Sequence, residues 1–294
     1  MRSTCTFLAL VFLMHAAVGC EKQTEVIEFG TTRADLFGVP AEYRALHMAL
    51  EKELDYPISF PAQSNGRAIG VQLEHGNIEF AILSAAEYAE IEDTSKLTLV
   101  ATAINPLGKT TRQGQIVIRA KSHLKSISDC AGKRFAFGHY RDAVTDWAVR
   151  DALEKGGVPV NKLLPELVPT TVAVPIEGRL YAGDRVPTLV VWDLTINAGV
   201  VDEIVYSRLP DTGGNPITGP SKDQLEIVGH TIDVPEMVIV AGPKADPQTV
   251  EKLRKYLLNK AKNDAKLCEQ LGIQGFTEPN KAAYEAARSL VSRS

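Results

Sequence analysis

The sequence predicts a layered α/β protein with two lobes and a ligand cleft between them. Three observations lead there. Strand-like runs alternate with amphipathic helical segments along the chain, the alternation restarts after the loop 105–114 to give a second and shorter set, and helical segments return at the C-terminal end.

The elements follow in order. Val26 to Thr31 is a β-rich run, and after the loop 32–39 a helix opens at Pro40, a favoured first helical position. Tyr43, Leu46, Leu50 and Leu54 keep to one face of that helix, and Ile58 to Pro61 reads as its partner strand. A short helix from about Gly66 to Glu74 stops at Gly76. Strand Ile78 to Leu83 runs directly into a helix start at Ser84, where Glu87 completes a capping box, and Leu97 to Ile104 is a further strand. The second set comprises strand Gln115 to Arg119, a short helix Ser126 to Cys130, strand Arg134 to Phe137, helix Ala143 to Lys155 ended by Gly156-Gly157, and strands at Thr171 to Val174 and Thr188 to Trp192. Beyond the Pro/Gly-rich loop Leu209 to Pro220 come strands Leu225 to Val228 and Glu236 to Ala241, then helices Pro247 to Lys262, Ala265 to Leu271 and Lys281 to Val291. This order places residues 20–110 with 235–294 in lobe 1 and 111–234 in lobe 2, with crossings near Leu107 to Gln115 and Ile232 to Val238.

Residues 1–19 read as a secretory leader: Arg2, then an apolar run from Phe7 to Val18 too short for a permanent membrane span, then Ala17-Val18-Gly19-Cys20. A cysteine directly after a small residue resembles the bacterial lipobox, which implies acylation of Cys20; an ordinary cleaved leader is the alternative. Either reading exports the mature protein. The hydrophobic and charged fractions, 45% and 23%, are those of a globular protein, and a net charge of −4 supplies no basic field for nucleic acid. Cys130 and Cys268 lie far apart in sequence and suit two small buried side chains better than a bridge. There is no C-x-x-C, no His/Cys spacing for a metal, and nothing that calls for a cofactor.

Several segments together are similar to a known family. Phe29-Gly30-Thr31-Thr32, Asn77-Ile78-Glu79-Phe80-Ala81-Ile82 with Tyr88, Gly114 to Arg119, Ser126 to Phe137, and Leu271 to Phe276 with Tyr284 resemble, in order and spacing, the phosphate/phosphite/phosphonate-binding proteins of ABC importers. The resemblance implies a type II periplasmic-binding fold, a small-molecule ligand, an ABC permease as partner, and a monomer. It also implies an anion loop, typically Ser-Thr-Ser-Gly at a helix N-terminus, after the strand that ends at Phe137. This chain departs there: it reads Gly138-His139-Tyr140-Arg141-Asp142-Ala143-Val144-Thr145, with Asp142, Ala143 and Val144 at the hydroxyl positions.

In such a fold the ligand lies where strand C-termini meet helix N-termini. That rule selects Thr31, Thr32, Arg33, Gln63, Ser64, Asn65, Ser84, Ala85 and Tyr88 from lobe 1, and His139, Tyr140, Arg141, Asp142, Thr145, Trp192 and Asp193 from lobe 2. Arg33 and Arg141 are either bidentate clamps for an acidic group or solvated loop residues. Ser84 donates to an anion, caps its helix, or does both, while Asp142 is well placed as the cap of the helix from Ala143. His139 offers a proton-sensitive donor. Tyr140 and Trp192 offer a flat apolar wall, with core packing the alternative for Trp192, and Asp193 either accepts from the ligand or caps a helix from Thr195. Carboxylates at Asp142 and Asp193 facing the cleft would match a ligand with donors or positive charge.

The functional expectation is a lipid-anchored solute-binding protein that closes on a small anionic or zwitterionic ligand, phosphonate-like or related. The alternatives are a ligand-sensing lipoprotein and a degenerate member that binds nothing. An enzyme is not expected, since the chain has no Gly-x-Ser-x-Gly, no Cys/His nucleophile pairing and no phosphate-cradling glycine loop.

Overall fold

The structure is a computed structural model and describes residues 26–33, 39–164 and 185–291. In chain order the elements are β1 (Ile27–Gly30), α1 (Arg44–Leu54), β2 (Ile58–Ser59), α2 (Gly66–His75), β3 (Phe80–Leu83), α3 (Ala85–Ala89), β4 (Thr98–Ile104), β5 (Thr111–Arg112), β6 (Gly114–Arg119), β7 (Phe135–Ala136), α4 (Ala148–Lys155), α5 (Val186–Trp192), β8 (Ala198–Asp202), α6 (Glu203–Ser207), β9 (Leu225–His230), β10 (Val234–Pro235), β11 (Val238–Ala241), α7 (Pro247–Asn259), α8 (Ala265–Leu271), β12 (Gly275–Thr277) and α9 (Lys281–Val291).

Two sheets organise the chain. A six-stranded sheet runs β12-β4-β11-β3-β1-β2, with β1 parallel to its neighbours β2 and β3, while β11 and β12 run antiparallel to theirs. A four-stranded sheet runs β7-β8-β6-β9. Between them the two crossing segments pair as a short antiparallel ribbon, β5 with β10, with Arg112 opposite Val234 and Thr111 opposite Pro235. The chain leaves the first sheet after β4, builds the second, and returns through β11, which inserts between β3 and β4.

Local sequence explains why the elements stop where they do. α1 buries Leu46, Leu50 and Leu54, the face foreseen from their spacing, and packs them into a core with Phe29, Phe60 and Phe80. The Phe29 and Phe80 rings stack at 4.9 Å. α2 is capped by Asn65 accepting from the Ala68 N–H, and ends at Gly76 with φ of 70°, a left-handed conformation that favours glycine. The second sheet buries Ile116, Ile118, Phe135 and Phe137 on one face against α4, and Val117, Ala136 and Val201 on the other against α5.

The segment 188–192, expected as a strand, is the helix α5. Val186 and Val190 stand one turn apart and pack on the sheet, Pro187 sits in the first turn, and Arg119 satisfies the C-terminal end by donating to the carbonyls of Val190 and Asp193, each at 3.1 Å. Tertiary burial thus overrides the β-propensity of Val190-Val191. The strand beside β6 at the centre of the second sheet is instead β8, every residue of which is buried. Cys130 and Cys268 are both free: the former is in the core beneath the second sheet, the latter beside the first. The expected strand 171–174 and the leader with Cys20 lie outside the described residues. Among the described residues no helix is long and apolar enough to cross a membrane.

Candidate functional site

A cleft of about 250 Å³ opens where the two sheets approach each other at the crossing segments. Its floor is the end of β3, Ile82 and Leu83, continuing into Ser84, Ala85 and Glu87 at the start of α3. The crossing segments supply Asn105, Pro106, Arg112, Pro235, Glu236 and Met237, and α6 brings Ile204 from the second sheet's side. Arg33, Glu42 and Tyr43 form a further wall, with Leu271 and Ile273 beyond. The volume lies below the roughly 300–1,000 Å³ of sites for drug-sized ligands, so the cleft suits a small molecule.

Ionised side chains dominate the polar lining. Arg112 donates from Nη1 to Asp202 Oδ2 at 2.8 Å, and its Nε lies 3.7 Å from Glu236 Oε1. Glu236 Oε1 also accepts from Asn105 Nδ2 at 3.0 Å, and the same amide nitrogen donates to Thr111 O at 3.1 Å, which ties both crossing segments together. Arg33 Nε stands 3.8 Å from Glu42 Oε1 and its side chain stays 54% exposed, a loose pairing. Burial raises the Asp202 carboxyl to about 6, with the Arg112 guanidinium and the Ile204 N–H pulling it back down. Burial also pushes the Tyr43 phenol up to about 12. The lining holds three carboxylates, Glu42, Glu87 and Glu236, against two guanidiniums, Arg33 and Arg112. Each uncompensated like charge about 5 Å from an anion costs about 3 kcal/mol at an effective dielectric of ~20.

The start of α3 is stapled from within. Glu87 N donates to Ser84 Oγ at 3.3 Å and Ser84 N to Glu87 Oε2 at 2.6 Å, the capping box foreseen in the sequence, and the Thr32 hydroxyl donates to Glu87 Oε1. Across the cleft the same device recurs. Asp142 Oδ1 accepts from Val144 N at 3.0 Å, Thr145 N at 2.7 Å and Thr145 Oγ1 at 2.8 Å, so the chain's own carboxylate sits on the helix N-terminus. That helix begins with a wide turn at 143–147, in which Trp147 N donates to Asp142 O and Ala148 N to Ala143 O, before continuing as α4.

A seam closes one side of the cleft. Ala85 and Ala89 of α3 and Leu290 of α9 pack with Ala143, Val144, Trp147 and Ala148 and with Val234 in one buried apolar cluster. At its edge Arg141, held at φ of 63°, reaches Glu90 Oε1 at 2.8 Å, while Glu90 Oε2 accepts from Gly66 N at 2.9 Å. The Tyr284 hydroxyl donates to Glu236 O at 2.8 Å, fastening α9 to the returning crossing segment.

Of the residues selected from the sequence, Arg33, Ser84 and Ala85 line the cleft. Thr32 touches it through Glu87, and Thr31 is buried with its hydroxyl accepting from Arg33 N at 3.1 Å. The others lie outside the lining. Gln63 N donates to Thr31 O, Ser64 is exposed, and Asn65 is spent on its cap. Tyr88 is wholly buried, edge-on to Tyr284, with its hydroxyl donating to Glu285. His139 and Tyr140 are on the exposed surface, Arg141 is taken by Glu90, and Asp142 and Thr145 are taken by their cap. Trp192 ends α5 and packs at the edge of the core, and Asp193 Oδ1 accepts from the backbone and hydroxyl of Thr195 in a turn that leads to β8 without a helix. Glu42, Tyr43, Glu87, Asn105, Arg112 and Glu236 were not selected. The signal for the last three was available, since they lie in or beside the crossing segments, which border a cleft between lobes by construction. No group of His, Cys, Asp and Glu among the described residues is arranged to hold a metal ion.

Two sheets bridged by a double crossing, with a small polar cleft at the bridge, define a two-lobed periplasmic binding protein. The chain belongs to the family of periplasmic substrate-binding proteins of phosphonate ABC transporters, whose pattern it matches over residues 39–284. No curated relative matches it by sequence. Solved structures share the fold at low identity. XAC2383 from Xanthomonas citri, seen bound to ATP, superposes with a TM-score of 0.68 at 16% identity, covering 91% of this chain and 97% of that one. PhnD1 from Prochlorococcus marinus in complex with methylphosphonate gives 0.64 at 14% identity, covering 91% and 97%. A binding-protein component of an ABC phosphonate transporter from Pseudomonas aeruginosa gives 0.61 at 14% identity, covering 91% and 86%.

Proposed function

We propose that this protein is exported, anchored through an acylated Cys20, and captures a small anionic or zwitterionic ligand by closing lobe 1 (20–110 with 235–294) on lobe 2 (111–234), for delivery to an ABC permease. The observation that carries this reading is the position of the cleft. Its walls come from the first sheet, from both crossing segments and from α6, so a ligand there touches every part whose relative position changes when such lobes move. A ligand that contacts both sides favours the closed arrangement by the difference in its affinity for the two states. Ligand contacts are expected from Arg33, Ser84 and Ala85, joined by Glu42, Arg112 and Glu236. Family membership supports the transport role, and no covalent step is required of any residue.

The test is a ligand panel read in two ways, by thermal shift and by small-angle scattering. A ligand at about a thousand times its Kd stabilises the folded state by about 4 kcal/mol, a readily measured rise in melting temperature. A true cargo also reduces the radius of gyration. Melting shifts without any change in compactness would count against capture by closure, and exchange of Cys20 for Ser should release the protein from membranes if that residue is the anchor.

A further inference from the structure

We propose that the cleft is built for a cargo that presents an ammonium group together with one singly charged acid, and that it rejects a simple dianionic phosphonate. The proposal rests on the reading of the cleft as the capture site and specifies what that site accepts.

Three features of the molecule converge on it. The first is the lining, where Glu42, Glu87 and Glu236 outnumber Arg33 and Arg112. The second is that the guanidinium at the centre is partly spent inside the protein: Arg112 pairs with buried Asp202 at 2.8 Å and lies 3.7 Å from Glu236. Arg33, half-exposed and only loosely paired with Glu42, is the more open cation to meet an acidic group, and one guanidinium matches a monoanion. The third is that the helix start in the lining, and the one beyond it that continues into α4, carry internal carboxylates. Glu87 occupies the start of α3, and Asp142 accepts three hydrogen bonds at the start of the helix that continues into α4. Such starts are where an oxyanion from outside would otherwise settle. An ammonium, with three donors and a compact charge, suits Glu236 and Glu42, whose carboxylates border the open space and retain accepting capacity.

The experiment uses matched probes on the purified protein by isothermal titration in mildly alkaline buffer: γ-aminobutyrate against butyrate for the ammonium, and methylphosphonate and inorganic phosphate, doubly ionised there, for the dianion. γ-Aminobutyrate is expected to bind at least ten-fold more tightly than butyrate, with methylphosphonate and phosphate weaker still. Glu236→Gln keeps the acceptor for Asn105 and should bring the ratio of γ-aminobutyrate to butyrate close to one; Glu42→Gln, at a more exposed position, is the second variant if the first folds poorly. Methylphosphonate or phosphate binding as tightly as the aminated probe would overturn the proposal while upholding the capture site. An unchanged ratio in both Gln variants would overturn it too. Binding of no probe at all, with no change in compactness, would overturn the capture reading and this proposal with it.

Discussion

Truncating Trp147 to Ala tests how strongly the apolar seam joins the two halves. Trp147 is 4% exposed and its neighbours come from both sides of the cleft, Ala85, Ala89 and Leu290 from one and Val144 and Ala148 from the other. An indole buries about 150–250 Å², which at ~25 cal/mol per Å² corresponds to roughly 4–6 kcal/mol, and measured losses for Trp→Ala in cores run about 3–5 kcal/mol. At about 2–4 °C per kcal/mol for large domains, the melting temperature should fall by roughly 6–20 °C. Because the cluster spans the seam, part of that loss falls on lobe association. The ligand-free variant should therefore show a larger radius of gyration by small-angle scattering, and its urea unfolding should split into two transitions where the parent shows one. Trp192, at the edge of the second core, provides the control: Trp192→Phe should leave compactness unchanged. A stability loss below about 1 kcal/mol with an unaltered radius would refute the argument that this seam joins the two halves.

Three further outcomes are expected. Asp202 has its carboxyl raised by burial to about 6 in the folded state, from an ordinary value of 3.8, so its contribution to stability is fully present below about pH 4, is lost as pH rises through 6, and should vanish from the pH profile of urea midpoints in Asp202→Asn. A Cβ on Gly66 would stand 2.0 Å from the carbonyl oxygen of Glu87, so Gly66→Ala must push α2 away from α3, costing about 1–3 kcal/mol in chemical denaturation and weakening whatever ligand the α3 wall holds. Asp142→Ala removes a cap that accepts three hydrogen bonds and should cost about 0.5–2 kcal/mol, whereas Asp142→Ser retains a hydroxyl acceptor and should cost only a few tenths.

The sequence carried most of the architecture, because the signals that set it are local. The spacing of Leu46, Leu50 and Leu54, the Gly76 end of α2, and the Ser84–Glu87 box each act within a few residues, and each is present as expected. Elements whose state depends on distant partners were harder to read. Val190-Val191 has strand propensity, but the sheet already has β8 and β6 in its centre, and a helix start with Pro187 lets Val186 and Val190 cover that sheet. β8 itself, Ala198–Asp202, is too short and too close to a turn to announce its central position. Tyr88 illustrates the same limit for the site: it follows the strand end by a helical turn, yet the ring is drawn under α9 by Tyr284 and Glu285, nearly two hundred residues away in sequence.

The site shows a further pattern, which bears on why an anion loop was expected and a different arrangement is found. A helix N-terminus with unsatisfied N–H groups attracts whatever negative charge is near, and a side chain at the cap position has the advantage of being tethered. Asp142 is such a side chain, and Arg141 beside it, turned by its positive φ toward Glu90, carries the adjacent cation away from the cleft to the other half of the molecule. The two changes have one electrostatic consequence. They remove a positive region from the second lobe's face of the cleft and leave its field to Glu87, Glu236 and Glu42. The fold alone does not set the cargo; in the capture proposed above, the charge of the lining is what a ligand has to match.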